Sequence, residues 1–282
     1  MNSLLFNNVS IFNLNFSNES TFIELENDSR LEFFQTPIFS NNFNNSNFLH
    51  SGAKTIISLI QCQIFQNTLI TFSSESYSFF SSEYDFVMVN STLENNTFSN
   101  YTFLLTTGDN ESVCLINSSI ISNNVGDLTI FSINGQGVEV ILEDLTVVGN
   151  NLKESLIIIQ ETFAEVIINS VVFEENSANI IINLYFVGDV TINSLKFQKN
   201  NENIDNNIKE AGPCLKIEEM SNLRIEQLEI SDNFAISNIP GIVIIQSNYI
   251  PDFLQINSSI ITITICLSII NLNKKRSNSN FD

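Results

Sequence analysis

The sequence predicts an all-β chain wound as a right-handed parallel β-helix of about ten coils. Three observations lead there. The apolar residues are largely Ile and Phe, no long stretch keeps a helical period, and a pattern of about ten residues ending in Asn recurs along the chain.

Apolar residues make up 43% of the 282 positions, enough for a sizeable core, and 24 of them are Phe while none is Trp. Such β-branched and aromatic residues suit pleated strands better than helices. Net charge is −20, from 31 acidic and 11 basic residues. A chain so acidic, with no basic patch, repels phosphate backbones, so nucleic acid is excluded as a partner. Cys62, Cys114, Cys214 and Cys266 stand far apart, with no CxxC pair among them. That spacing excludes zinc-finger and thioredoxin-like chemistry and predicts buried, unbridged thiols.

The repeat shows when the following stretches are overlaid: ILEDLTVVGN ending at Asn150, IINSVVFEEN at Asn176, TINSLKFQKN at Asn200 and RIEQLEISDN at Asn233. The same frame fits LIQCQIFQN at Asn67, MVNSTLENN at Asn96, INSSIISNN at Asn124 and FFQTPIFSN at Asn41. Weaker copies are IFNLNFSNE at Glu19 and INSSIITIT at Thr264. Each reads apolar, x, x, apolar, x, apolar, x, x, Asn, the middle apolar column being the softest. The first column (Ile11, Phe33, Leu59, Met88, Ile116, Leu142, Ile168, Ile192, Ile225, Ile256) is apolar throughout. So is the third (Phe16, Ile38, Ile64, Leu93, Ile121, Val147, Phe173, Phe197, Ile230, Ile261). The middle column mixes Thr36, Cys62, Ser91 and Ser119 with Leu145, Val171 and Leu195.

A second apolar stretch lies between copies, for example Leu128 to Ile133, Leu156 to Ile159 and Cys214 to Ile217. These runs are short, β-branched and bounded by turn residues, so each unit supplies two or three strands and no helix. Asn41, Asn67, Asn96, Asn124, Asn150, Asn176, Asn200 and Asn233 then have two tasks. Asn tolerates the left-handed conformation of a sharp bend, and its amide both donates and accepts, so stacked copies form a ladder. Spacing varies from 22 to 33 residues along the third column, as turns of variable length allow. The longest insert, 201–211, is expected to bulge from one side. Ten coils at the strand spacing make a rod about 48 Å long.

The repeats are assigned to 1–264, and 265–282 to a coil remnant or polar tail. Met1-Asn2-Ser3 lacks the basic start of a secretory leader. The apolar run 260–272 is shorter than the roughly 20 residues a spanning helix needs and is expected to be a last β coil.

Phe173-Glu174-Glu175-Asn176 and Phe197-Gln198-Lys199-Asn200 match the FxxN repeat, and Gly212-Pro213-Cys214-Leu215-Lys216-Ile217 is similar to the glycine-led strand that accompanies it. In this the chain resembles the pectin-lyase-like β-helices of chlamydial polymorphic outer-membrane proteins and of large surface proteins of ciliates and other protists. The resemblance spans roughly Ile11 to Ile261. It implies an extracellular or cell-surface location, with any leader or membrane tether outside the repeats or at the end of the chain. A leucine-rich-repeat solenoid is the rival fold, because Leu142-x-x-Leu145-x-Val147-x-x-Asn150-x-Leu152 satisfies that consensus. Against it, the apolar residue two beyond Asn is picked out at Leu69, Phe98 and Leu152, and no helical LxxLxxL follows.

Catalysis is not expected. Glycoside hydrolysis needs two carboxylates about 5–9.5 Å apart on one face. Glu143 and Glu226 occupy matching positions three coils apart, about 14 Å at the strand spacing. Asp144 reads as a solvated turn residue, while alternation separates Glu174 from Glu175 and Glu218 from Glu219. A lyase base is not apparent at Arg30, Arg224 or Arg276, and His50 reads as a surface residue in an Asn-rich loop. No phosphate-binding, dinucleotide or metal motif is present, so no catalytic, cofactor or metal residue is assigned. Sequons begin at Asn8, Asn15, Asn18, Asn27, Asn44, Asn90, Asn95, Asn100, Asn110, Asn117 and Asn257; with 43 Asn in the chain, about eight arise by chance. The expected role is a non-catalytic binding or structural segment presenting a strand face and loops to a protein or glycan. The alternatives are a polysaccharide-active β-helix enzyme and a leucine-rich-repeat interaction protein.

Overall fold

The computed structural model describes residues 2–17, 20–71, 77–108, 112–201, 212–233, 243–246 and 253–261. Within them the chain is a parallel β-solenoid of about eight turns, fewer than the ten expected, with no helix. The leucine-rich-repeat alternative therefore falls, since its second half-turn would be helical in many of its forms and here it is strand. The expected bulge at 202–211, Thr264, Cys266 and the expected coil remnant or tail at 265–282 lie outside the described residues.

Four short strands make a coil, one more than the most the sequence predicts. In a representative turn they are Asp85–Val89, Thr92–Glu94, Thr97–Ser99 and Tyr101–Thr106. Each pairs in parallel with its counterpart in the next turn: Phe86 with Cys114, Leu93 with Ile121, Phe98 with Gly126 and Leu104 with Phe131. First, second and fourth strands join one 25-stranded sheet, and the third strands form a separate six-stranded one. Towards the C-terminus strand pairing continues through the corners. Ile180–Ile192 runs unbroken from the fourth face of one turn to the first of the next, and Leu215–Ser231 continues onto the second face.

Alternation decides what is inside. Strand Ser29–Phe34 buries Leu31 and Phe33 and leaves Arg30, Glu32 and Phe34 at the surface, as period-two geometry requires. Down the stack, identical positions meet: Phe33 with Leu59, Leu59 with Met88, and on through Ile116, Leu142, Ile168, Ile192, Ile225 and Ile256. The third column keeps register in the same way from Ile38 to Ile261. The residue two beyond Asn41, Asn67, Asn96, Asn150 and Asn176 is also inward, so Phe43 and Ala178 fill that slot as well as Leu69, Phe98 and Leu152. The fourth face supplies the second apolar stretch: Leu104, Phe131, Ile157, Ile182, Leu215 and Val243 stack in order.

One copy is framed differently from the sequence reading. Phe6, not Ile11, pairs with Phe33, and Ile11 pairs with Ile38. Leu14 therefore occupies the Asn slot of the first turn, where Glu19 was expected; Glu19 lies outside the described residues. The true first-column residue lay in Asn2–Asn7, whose alternation is masked by Leu4-Leu5-Phe6. The aromatic core is concentrated in the early turns, with Phe6 stacked on Phe33 at 5.0 Å and Phe48 on Phe79 at 4.6 Å. Later turns use Ile, Leu and Val, with Phe173 on Phe197 at 5.3 Å.

Candidate functional site

The Asn residues assigned from the sequence form one continuous ladder, and all eight are buried. The Nδ2 of Asn41 donates to Oδ1 of Asn67 at 2.9 Å, and the same bond recurs from Asn67 to Asn96, Asn96 to Asn124, Asn124 to Asn150, Asn150 to Asn176, Asn176 to Asn200 and Asn200 to Asn233 at 2.8–3.0 Å. The same Oδ1 also accepts the backbone N–H of the preceding ladder Asn at 2.9–3.1 Å. Each Nδ2 makes a further bond to a carbonyl of the preceding turn, such as Asn124 to Leu93 at 3.0 Å. Corner backbone groups that point inwards are thus satisfied by side chains rather than water.

The bend itself is made one residue earlier than expected. Left-handed conformations belong to Ser40, Gln66, Asn95, Asn123, Gly149, Glu175, Lys199 and Asp232, each immediately before a ladder Asn. Those residues turn the chain outward, and the Asn that follows is left free to aim its amide into the stack. Its role is hydrogen bonding, not backbone tolerance. This explains why the column before Asn holds many residue types.

A second ladder was not read from the sequence. At the previous corner, Thr36 Oγ1 donates to the Phe6 carbonyl at 3.1 Å, Cys62 Sγ to Phe33 at 3.2 Å, and Ser91 Oγ to Leu59 at 3.2 Å. Backbone N–H groups of Cys62 and Ser91 donate onward to Ser91 Oγ and Ser119 Oγ. The mixed middle column is therefore a short run of small hydrogen-bonding side chains that gives way to Leu145, Val171 and Leu195 in later turns. The signal was present as Thr, Cys, Ser, Ser at matched positions. Cys62, Cys114 and Cys214 are buried and unbridged, and burial raises all three thiols, Cys114 to about 12.

On the outer surface, polar groups pair along the stack. Glu143 is held between Asn117, which donates to Oε2 at 2.7 Å, and Asn169, which donates to Oε1 at 3.1 Å. Register places Glu226 three turns away from Glu143. Asp127 accepts from Ser99 at 3.0 Å and pairs with Lys153 at 2.5 Å, and that ammonium holds its carboxyl below the usual range. Arg30 pairs with Glu32 and Arg224 with Glu226, while Arg276 lies outside the described residues. Phe12, Phe39 and Phe65 stack outside at 5.0–5.2 Å.

Two expectations need correction. His50 lies in strand Asn47–Ser51, in register with Glu24 and Ser81, and not in a loop. Alternation does not separate the paired glutamates: Glu175 and Glu219 are left-handed corner residues, so both members of each pair reach the surface. Glu175 lies 3.5 Å from Lys199, and Glu218 lies 2.6 Å from Lys216. Asp144 is an exposed corner residue, as expected. Among the described residues no group of three or more His, Cys, Asp and Glu is placed to hold a metal ion, and no helix is long and apolar enough to cross a membrane. No protein-family model, curated protein or solved structure matches the chain.

Proposed function

We propose that this chain is a non-catalytic binding segment of a surface or secreted protein, an FxxN-type stretch of β-helix that offers its strand faces and corners to a partner or matrix. The observation that carries the reading is how outward polar groups are used. The Asn117–Glu143–Asn169 bridge, the Ser99–Asp127–Lys153 cluster and the Gln35–Gln61 pair at 2.9 Å each tie one turn to the next. Side chains so engaged stiffen a surface and do not converge on one reacting atom. The sequons support the surface location: Asn8, Asn15, Asn27, Asn90, Asn95 and Asn100 are exposed, and no ladder Asn is a sequon. A glycan could be carried at each without opening the core.

The test is an array of glycans and cell-surface proteins probed with the purified chain, beside a polysaccharide-turnover assay. Saturable binding without turnover is expected. Turnover of a polysaccharide with no binding to the array overturns the proposal in favour of a carbohydrate-active enzyme.

A further inference from the structure

We propose that the corner formed by Phe163, Tyr185 and Phe186 is a docking site for a cationic, arginine- or lysine-bearing peptide segment of a partner. This rests on the reading of the chain as a binding module and names the partner's chemistry. The corner joins the fourth face to the first in two adjacent turns. Glu161 N–H donates to the Tyr185 carbonyl at 3.0 Å and Gly188 N–H to the Thr162 carbonyl at 2.7 Å, which locks the two segments together. Gly188 is required there, because a Cβ would sit 2.3 Å from the Phe163 carbonyl oxygen.

Three aromatic side chains stand out of this corner, with Phe163 65%, Tyr185 37% and Phe186 38% exposed. Tyr185 and Phe186 meet edge to face at 4.4 Å. Phe186 holds its place at φ 52, a conformation that bulky residues seldom adopt. The equivalent corner positions in the flanking turns hold Glu161 and Glu219, both at φ 55. A buried role does not account for an exposed Phe in that slot.

The surroundings select the ligand's charge. Glu161, Glu165 and Asp189 lie exposed on the same corner segments. Every described Lys and Arg between Asn151 and Asn233 is already ion-paired: Lys153, Lys196, Lys199, Lys216 and Arg224. A chain of net charge −20 thus has an aromatic platform edged by carboxylates, and the described bases of these turns are already engaged elsewhere on the surface. A guanidinium or ammonium fits such a platform by stacking on the ring faces while facing the carboxylates. The segment 118–256 also carries no sequon, so no N-linked glycan is attached at this corner.

The experiment uses the full chain and a fluorescent nona-arginine peptide, with its uncharged citrulline counterpart, read by anisotropy at physiological salt. The triple variant Phe163→Ser, Tyr185→Ser, Phe186→Asn keeps the net charge, and it is expected to lose at least tenfold in affinity for the arginine peptide. Phe12→Ser, at an exposed Phe on another face, is expected to change nothing. Phe186→Asn alone is expected to lower affinity while the chain unfolds at an equal or higher temperature, because Asn accepts the left-handed conformation. Equal affinity of triple variant and wild type overturns the proposal and assigns binding to diffuse net charge. Equal affinity for the citrulline peptide, or binding of a neutral glycan alone that the triple variant loses, also overturns it. Either result leaves the binding-module reading standing, whereas polysaccharide turnover with no binding removes both.

Discussion

Replacing Asn124 by Ala in the middle of the ladder removes four buried hydrogen bonds at once. Oδ1 accepts the Asn96 N–H at 3.1 Å and the Asn96 Nδ2 at 2.9 Å, while Nδ2 donates to the Leu93 carbonyl at 3.0 Å and to Asn150 Oδ1 at 2.9 Å. The losses are unequal. Asn96 Nδ2 keeps the carbonyls of Ile64 and Glu94, and Asn150 Oδ1 keeps the Asn124 N–H. The Asn96 N–H loses its ladder acceptor at a buried corner. One orphaned buried donor costs about 1–3 kcal/mol, and three further bonds about 0.5–1.5 kcal/mol each before relaxation. Neighbours share acceptors, so the sum is not additive, and the expected loss is about 3–5 kcal/mol. The control is Asn95→Ala next door, an exposed left-handed corner residue whose replacement costs about 1–2 kcal/mol in backbone strain. Urea unfolding followed by circular dichroism measures both, with hydrogen exchange at the Asn96 amide as the local readout. Equal costs for the two variants, or an Asn96 amide as protected as in the parent, would refute the ladder as a source of stability.

Other perturbations separate the remaining parts of the argument. Gly135 has φ +143, and a Cβ there would lie 1.9 Å from the Gly108 carbonyl oxygen; Gly135→Ala is expected to cost more than about 3 kcal/mol in a urea titration, and a loss under 1 kcal/mol speaks against the close approach. Tyr101 donates to and accepts from the Ser46 backbone at 2.7 Å, and burial pushes its phenol, like the Cys114 thiol, up to about 12. An unfolded chain loses these protons near 9 and 10 while the folded one retains them, so stability is full below about pH 9 and falls as pH rises towards 12. Tyr101→Phe is expected to flatten that slope above pH 10, and a midpoint constant from pH 8 to 11 in the parent contradicts the burial argument. In a secretory host, glycopeptide mass spectrometry is expected to find Asn8, Asn90 and Asn95 occupied with the unfolding midpoint held within about 0.5 kcal/mol, as for surface changes generally; a glycosylated chain that fails to fold contradicts the exposed placement of these corners.

Several features could be read before any coordinates because they repeat. Ile, Leu and Phe at fixed offsets ahead of Asn identify inward positions, since every turn must fill the same cross-section. Nine copies carried enough of the pattern to hold register; the first did not, because Leu4-Leu5-Phe6 presents apolar residues on both sides of a strand and hides the alternation. The short third strand was missed because two or three residues are too few to show a period. The row of small hydrogen-bonding side chains at Thr36, Cys62, Ser91 and Ser119 looked like a degraded apolar column because each is small enough to pass for one.

Local pattern alone determined that the chain is β, that it stacks in parallel turns, and which side chains face inward, because those properties depend on spacing and volume within one repeat. Only the assembled solenoid decided which residue bends and which one bonds, that Glu143 is held by Asn residues 26 positions away on either side, and that Phe163 shares a corner with Tyr185 and Phe186. Those relations run along the stacking axis, and contact along that axis depends on the number of residues each turn consumes, a quantity that varies from coil to coil.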